Sequence, residues 1–347
     1  MDMLQRLWFS CWDKLTGTVG RVRFFRPVLV ILGLYLLVSV GVGVWWSQEP
    51  EPFEIQAKTV QAADGTEHKI IGSATVSTLI KITDTLLQKQ GGYLSNDRLP
   101  PGIWLDNIPN WEFGVLVQAR DMSRAMRKDF SRSQSQSTED VDLKAAEPLL
   151  HFDSNSWVLP SSESEYTRAL NHLRAYEVRL ADPQQQDAQF YSRADNLRGW
   201  LADVSTRLGS LSQRLSASVG QKRVNTDLAG ESSARQSTDN AGDREVKTGF
   251  LEIDDVFYEA RGTAWALIHL LQAVEVDFAD ALEKKNALIS LRQIIRELEA
   301  TQGTVWTPMI LNGSEFGLLA NHSLVMASYI SRANAAIIDL RTLLEQG

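Results

Sequence analysis

Thiol is almost missing from this chain. Cys11 is the single cysteine among 347 residues, and it lies ahead of everything that reads as folded. From residue 47 onward there is no disulfide, no thiolate nucleophile and no thiolate metal site, so packing must supply the stability. Histidine is scarce too, with only His68, His151, His172, His269 and His322. None belongs to an HExxH motif and no two sit four apart, which leaves helical zinc hydrolysis without support. His269, within ALIHLL, reads as a helix residue satisfied by packing or by a backbone acceptor. His322 follows a Gly-rich turn, where a ring can line a cleft.

Positive charge is also short. The net charge is −8 over the whole chain and −11 beyond residue 46, where 30 Lys and Arg face 41 Asp and Glu. Nucleic-acid binders carry the opposite sign on one face, so that class is set aside. Catalytic signatures are missing as well. TDN (Thr238 to Asn240) and KTG (Lys247 to Gly249) match two of the three penicillin-binding-protein tripeptides, but no lysine has a serine three residues before it. NGSEFG (Asn312 to Gly317) is a turn, not a nucleophile elbow. Nothing implies a metal or a cofactor, and the missing catalytic motif leans the reading away from an enzyme while leaving that question open.

What is present begins with RVRFFRPVLVILGLYLLVSVGVGVWWSQEPEPFE. From Pro27 to Trp46 there are 20 residues without a charge. As a helix that run spans about 30 Å, the hydrocarbon thickness of a bilayer. A soluble core helix would show a polar face, and an export signal would have a shorter apolar core before small residues at a cleavage site. This run ends instead in Trp45-Trp46, side chains suited to the headgroup interface. Arg6, Lys14, Arg21, Arg23 and Arg26 precede it, and Glu49, Glu51 and Glu54 follow it. The positive-inside rule then puts a cytoplasmic basic tail at 1–26, a transmembrane anchor at 27–46 and the bulk of the chain outside the cytoplasm. Gly33, Gly41 and Gly43 do not make a clean small-residue repeat for a second helix.

Beyond the anchor, helical periodicity dominates. Ser73 and Gly91-Gly92 bracket one helix as caps. Asn110 is placed to cap another, with Trp111, Val115, Ala119, Met122, Met126 and Phe130 on one stripe. DFSRSQSQSTED (Asp129 to Asp140) is polar, a loop or a solvated helix end. Ser162 and Glu165 have capping-box spacing, and Pro183 ends the helix they start. Heptad seams follow: Leu197, Leu201, Val204, Leu208, Leu211 and Leu215; then Leu267, Leu271, Val274 and Phe278 leading into Leu288, Leu291, Ile295 and Leu298; then Ile330, Ala333, Ile337, Leu340 and Leu344. Residues 221–248 hold no aromatic and three large apolar side chains, too little to offset ordering entropy, and read as a mobile connector. It divides 47–220 from 249–347, two parts expected to pack in one bundle. The expectation is an all-α chain: a single N-terminal transmembrane helix followed by an antiparallel periplasmic bundle.

Two groups stand out as sites. Tyr93, Trp104, Trp111 and Phe113 lie in or beside LPPGIWLDNIPNWEFG, where aromatics on a rigid loop grip a partner or ligand, or else plug the bundle end. Asp255 and Glu259 are four apart on one helical face, as an acid–base pair would be. Asp254 and Asp255 equally suit a first helical turn with no catalytic role.

The strings GGYLSNDRLPPGIWLDNIPNWEFGVLVQ, DFSRSQSQSTED, LGSLSQRLSASVGQ, EIDDVFYEARGTAWALIHLLQAVEVDFADALEKKNALISLRQIIRELEATQ and ANHSLVMASYISRANAAIIDLR resemble a bacterial family known as domain of unknown function 2333. The resemblance covers nearly the whole chain. It implies an inner-membrane protein of a Gram-negative bacterium with its bulk in the periplasm, and no activity. The expected partners are the bilayer through residues 27–46 and an envelope protein or a second copy through the heptad seams. The expected role is structural or interactive within the envelope; the alternative is an envelope enzyme or ligand-binding protein acting on cell-wall or lipid material.

Overall fold

The structure, a computed structural model, describes residues 27–346 except 62–66, 134–136, 183, 185–186, 224–243, 308 and 315–317. The basic tail with Cys11, the middle of the 221–248 connector and Pro183 lie outside the described residues. The chain is all-helical with one N-terminal apolar helix, and β structure among the described residues amounts to an isolated bridge between Asn312 and Asn321 and two ladders of three residues per strand: β1 (Thr59–Gln61) with β2 (Glu67–Lys69), and β3 (Gln221–Arg223) with β4 (Arg244–Val246). The second ladder closes the two ends of the connector onto each other.

Helix α1 (Pro27–Trp46) leaves nearly its whole apolar surface uncovered. Only Ser39 and Gly43 are buried along it. A Cβ on Gly43 would lie 3.4 Å from Pro101, whereas Gly33 and Gly41 face open space. The small residues of α1 thus admit a loop of the same chain.

Helix α2 (Ser73–Gln88) starts one residue earlier than the sequence predicts. Its N-cap is Gly72, which has no side chain to offer. Asp277 serves instead: its carboxylate accepts from Gly72 N at 2.9 Å, Thr75 N at 2.6 Å and Thr75 Oγ1 at 2.7 Å. A negative charge at the positive end of a helix satisfies orphan donors and complements the dipole. The Ser73 hydroxyl accepts from Lys58 N rather than capping. Helix α3 (Asn107–Ala125) is capped by Asp106, not by Asn110, and continues through a π turn to Phe130. Its expected stripe is correct, with Trp111, Val115, Ala119, Met122, Met126 and Phe130 fully buried.

Helix α4 (Val141–Leu150) contains Pro148 and goes unpredicted; α5 (Ser162–Ala181) is capped by Ser161. Ser162 is unavailable as a cap because its hydroxyl accepts from Ser156 N and donates to Asp153 O. The remaining helices are α6 (Ala194–Ser216), α7 (Ile253–Asp277), α8 (Ala279–Lys284), α9 (Leu288–Glu299) and α10 (His322–Glu345).

Side-chain pairs fix the directions. Asn110 meets Asp255 at one end of α3 and α7, and Phe130 meets Phe278 at the other, so these two helices run side by side in the same sense. Arg207 and Arg124 link Asp121 and Asp203 so that α6 runs against α3. Arg198 with Glu345 and Ser205 with Asn334 set α10 against α6. The seam leucines of α6 and the seam residues of α10 sit in this chain's own core at 0–3% exposure. They are spent within the molecule, and any pairing of two copies has to use another face. One hydrophobic cluster extends from Val76 to Leu344 and draws on residues from both sides of the connector.

Candidate functional site

The junction between α1 and the bundle is where sequence and structure differ most. After Trp46 the chain does not hang free. Arg261, 7% exposed in the apolar body of α7, donates Nε and Nη2 to the Glu49 carboxylate at 2.7 Å each. Its Nη1 donates to Thr301 O and Gly303 O at 3.1 and 2.8 Å. Such a fork matches a carboxylate in two places at once, which gives the contact direction as well as energy. About two turns further along α7, Phe53 N donates to His269 Nε2 at 3.0 Å and the two rings stack with centroids 4.0 Å apart. The other ring nitrogen, Nδ1, donates to Trp265 O at 2.7 Å, which sets the tautomer. Gln56 O then accepts from Ser77, and Lys58 reaches Ser73 Oγ and Glu177. Residues 47–58 therefore form a strap that follows α7 and α2 from the α1 end toward the far end.

An open groove of about 470 Å³ lies beside the strap, lined by Phe53, Gln56, Ser77, Lys81, Arg174 and Glu177 among others. Two of its charged side chains are already paired, Arg174 with Asp84 at 3.0 Å and Glu177 with Lys58 at 2.9 Å. Among the described residues, no group of three or more His, Cys, Asp and Glu side chains gathers as a metal would need.

The four aromatics divide. Tyr93 and Trp111 are core residues: Tyr93 OH donates to Ser154 O, and Trp111 packs against Trp265 at 5.1 Å. Both lie buried, inside the contacts that join loops and helices. Trp104 and Phe113 are exposed, at 48% and 38%. Asp255 and Glu259 also part. Asp255 accepts from Asn110 Nδ2 at 2.6 Å, on α3, while Glu259 pairs with Arg214 on α6. Burial first, then the neighbouring Asp254, Asp106, Glu252 and Glu259, push the Asp255 carboxyl up to about 6. The two carboxylates are held by partners on different helices.

With that geometry in view, comparison with known proteins is informative on one point. The family model described as "Uncharacterized protein conserved in bacteria (DUF2333)" matches residues 20–347. The chain belongs to this family. No curated protein and no solved structure matches it.

The junction residues of this DUF2333 chain, Glu49, Phe53 and Arg261, were not singled out by sequence reasoning. Arg261 carried a usable signal, as a lone cation inside the apolar run of α7. Phe53, a single aromatic among glutamates, carried a weaker one. The expected backbone acceptor of His269 is Trp265 O; its bond to Phe53, 216 residues away, has no sequence trace.

Burial lowers the His269 pKa from 6.5 to about 4 in the folded chain. The resulting stability is complete above pH 6.5, where the unfolded ring is neutral, and is lost as pH falls from 6.5 to about 4. Over that window the unfolded state binds a proton that the folded state refuses, worth about 3 kcal/mol. The raised carboxyls of Glu112, Asp255 and Asp277 work in the opposite direction. The His269 share is therefore read as a difference. Urea midpoints of the DUF2333 protein in detergent should fall more between pH 7 and 4.5 for wild type than for His269→Gln, whose amide oxygen can still accept from Phe53 N. Parallel curves would assign the acid response elsewhere.

Proposed function

We propose that this protein is a membrane-anchored structural or interaction component of the bacterial cell envelope, with its N-terminus in the cytoplasm and its helical bundle in the periplasm. The observation that carries the reading is the strap. A chain built only to be tethered needs a loose linker after its membrane helix. Here the linker is bonded to the bundle at Glu49, Phe53, Gln56 and Lys58. Such a junction sets the orientation of the bundle to the bilayer and confines its search for partners to two dimensions. The uncovered apolar surface of α1 and the basic residues before it support the membrane assignment and its sense. The parts 47–220 and 249–347 belong, on this reading, to one bundle, because α3 lies along α7 and α6 along α10.

The test is chemical crosslinking and affinity capture from envelope fractions, with a topology reporter fused at Gly347. The expected result is a reproducible crosslinked partner or homomer and a periplasmic reporter. A cytosolic reporter, or no crosslinked species above the monomer across repeated preparations, would overturn the proposal.

A further inference from the structure

The helix directions bring many connections to one end of the bundle, the end at which α1 arrives. There α3, α5, α7 and α10 begin, and α2, α6 and α9 finish. The shared end is tied together across loops: Asn96 Nδ2 donates to Ser156 O and Arg98 to Asn155 O. Thr248 N bonds Ala217 O, and Asn312 Nδ2 bonds Ser218 O.

These loops carry large apolar side chains that the described residues leave exposed. The 97–106 loop presents Leu99, Ile103 and Trp104 at 76%, 55% and 48% exposure. The neighbouring loop before α5 presents Trp157, Val158 and Leu159 at 61%, 55% and 97%. Phe250 and Leu251, ahead of α7, stand at 80% and 83%. The connection from α9 to α10 adds Trp306 at 91% and Leu318 at 107%. Exposed apolar surface on this scale, gathered at one end, marks an interaction face. At the far end the exposed apolar residues are separate aliphatic side chains, Ile71 at 54%, Val141 at 70%, Val178 at 64% and Ile289 at 80%, with no aromatic among them.

The occupant follows from what the face adjoins. Pro101 and Leu105 lie against Gly43 of α1, at 3.4 and 3.7 Å from a Cβ placed there, and Tyr35 OH reaches Pro100 O at 3.5 Å. Gly43 precedes Trp46 by three residues, about 4.5 Å along the helix. If Trp46 marks the interface, the Pro100–Leu105 loop lies below it, between the level of Gly43 and that of Tyr35, which is eleven residues and about 16 Å from Trp46, and this places it in the near leaflet of a hydrocarbon core about 30 Å thick. In segments 97–106 and 247–254 the acids Asp97, Asp106, Glu252 and Asp254 outnumber Arg98 and Lys247, so attraction to anionic headgroups does not drive the contact; apolar insertion does.

We infer that the loop end of the bundle is a second lipid-binding element, seated in the near leaflet of the bilayer that α1 crosses. This rests on the membrane reading of α1. Together the two elements make the protein both a spanning and an interfacial membrane protein, with the strap holding the loops at the required depth.

The test uses the full-length protein with Cys11→Ser and single cysteines placed at Leu159, Trp306, Ile289 or, within α1, Leu36. Each is labelled with an environment-sensitive fluorophore and reconstituted into phosphatidylcholine vesicles containing doxyl-labelled phosphatidylcholine. The expected result is lipid quenching at Leu36, Leu159 and Trp306 several-fold above that at Ile289. Quenching at Leu36 alone would overturn the loop contact and leave the anchor. No lipid quenching at Leu36 would remove the anchor, and the inference with it. Loop labels shielded from both the lipid nitroxide and aqueous iodide would mean that protein covers this face, and would overturn the inference in favour of a second copy or another partner.

Discussion

Replacing Lys89 by Met is expected to destabilise the full-length protein by about 3–5 kcal/mol, the usual cost of leaving one member of a buried ion pair alone. The Lys89 and Glu112 side chains are 2% and 0% exposed and meet at 2.6 Å. Glu112 also accepts from Leu94 N at 2.9 Å and Ser95 N at 2.8 Å, so it fixes the path of the chain between α2 and α3. Without Lys89, a charge stays buried with only neutral donors around it. Lys89→Met/Glu112→Gln should recover much of the loss, since an amide oxygen still accepts from both backbone groups. Acid should help the single variant as well. Burial raises the Glu112 pKa above its ordinary value. As pH falls toward the ordinary carboxylate range, the folded state takes up a proton before the unfolded state does, and stability rises. Thermal and urea unfolding in detergent, followed by circular dichroism, measures all three effects. A Lys89→Met midpoint equal to wild type would mean that the pair contributes nothing.

Gly262→Ala is the second large effect, and its sign runs against helix propensity. A Cβ on Gly262 would stand 2.0 Å from Trp111 O, and one on Gly114 would stand 2.2 Å from Glu259 O. The obstructing atoms are backbone, so no rotamer change relieves the clash, and α3 and α7 must separate. Overpacking of a tight core costs about 1–3 kcal/mol, and a backbone clash belongs at the upper end of that range. Alanine in an open helical position would instead be favoured by about 1 kcal/mol. Gly199, on α6, supplies the control, because a Cβ there meets nothing within 4 Å. Gly262→Ala should lower the unfolding midpoint and Gly199→Ala should hold or raise it. Equal, small increases in both would show that α3 and α7 tolerate a wider spacing.

These two sites also mark how far sequence reading reaches. The α3 stripe and the α6 seam are correct to the residue, because apolar periodicity reports burial one side chain at a time. The caps at Ser73, Asn110 and Ser162 each miss the true position. Capping depends on how the chain enters the helix, and the hydroxyls of Ser73 and Ser162 are engaged by backbone elsewhere. Among the site residues, Trp104 and Phe113 stay at the surface while Tyr93 and Trp111 turn inward. Asp255 and Glu259 do share a helix, as their spacing requires, yet Asn110 and Arg214 draw them to different neighbours.

By itself the sequence determined the helical class, the faces that become core and the uncharged run of α1, since each follows from local composition and a repeat of 3.6 residues. Only the tertiary structure decided that Asp277 caps a helix 205 residues away, that Arg261 and His269 clamp the strap, and that exposed apolar loops collect beside α1. Those are relations between positions far apart in the chain. A single sequence carries no term linking such positions, so they take shape only when the helices are laid against one another.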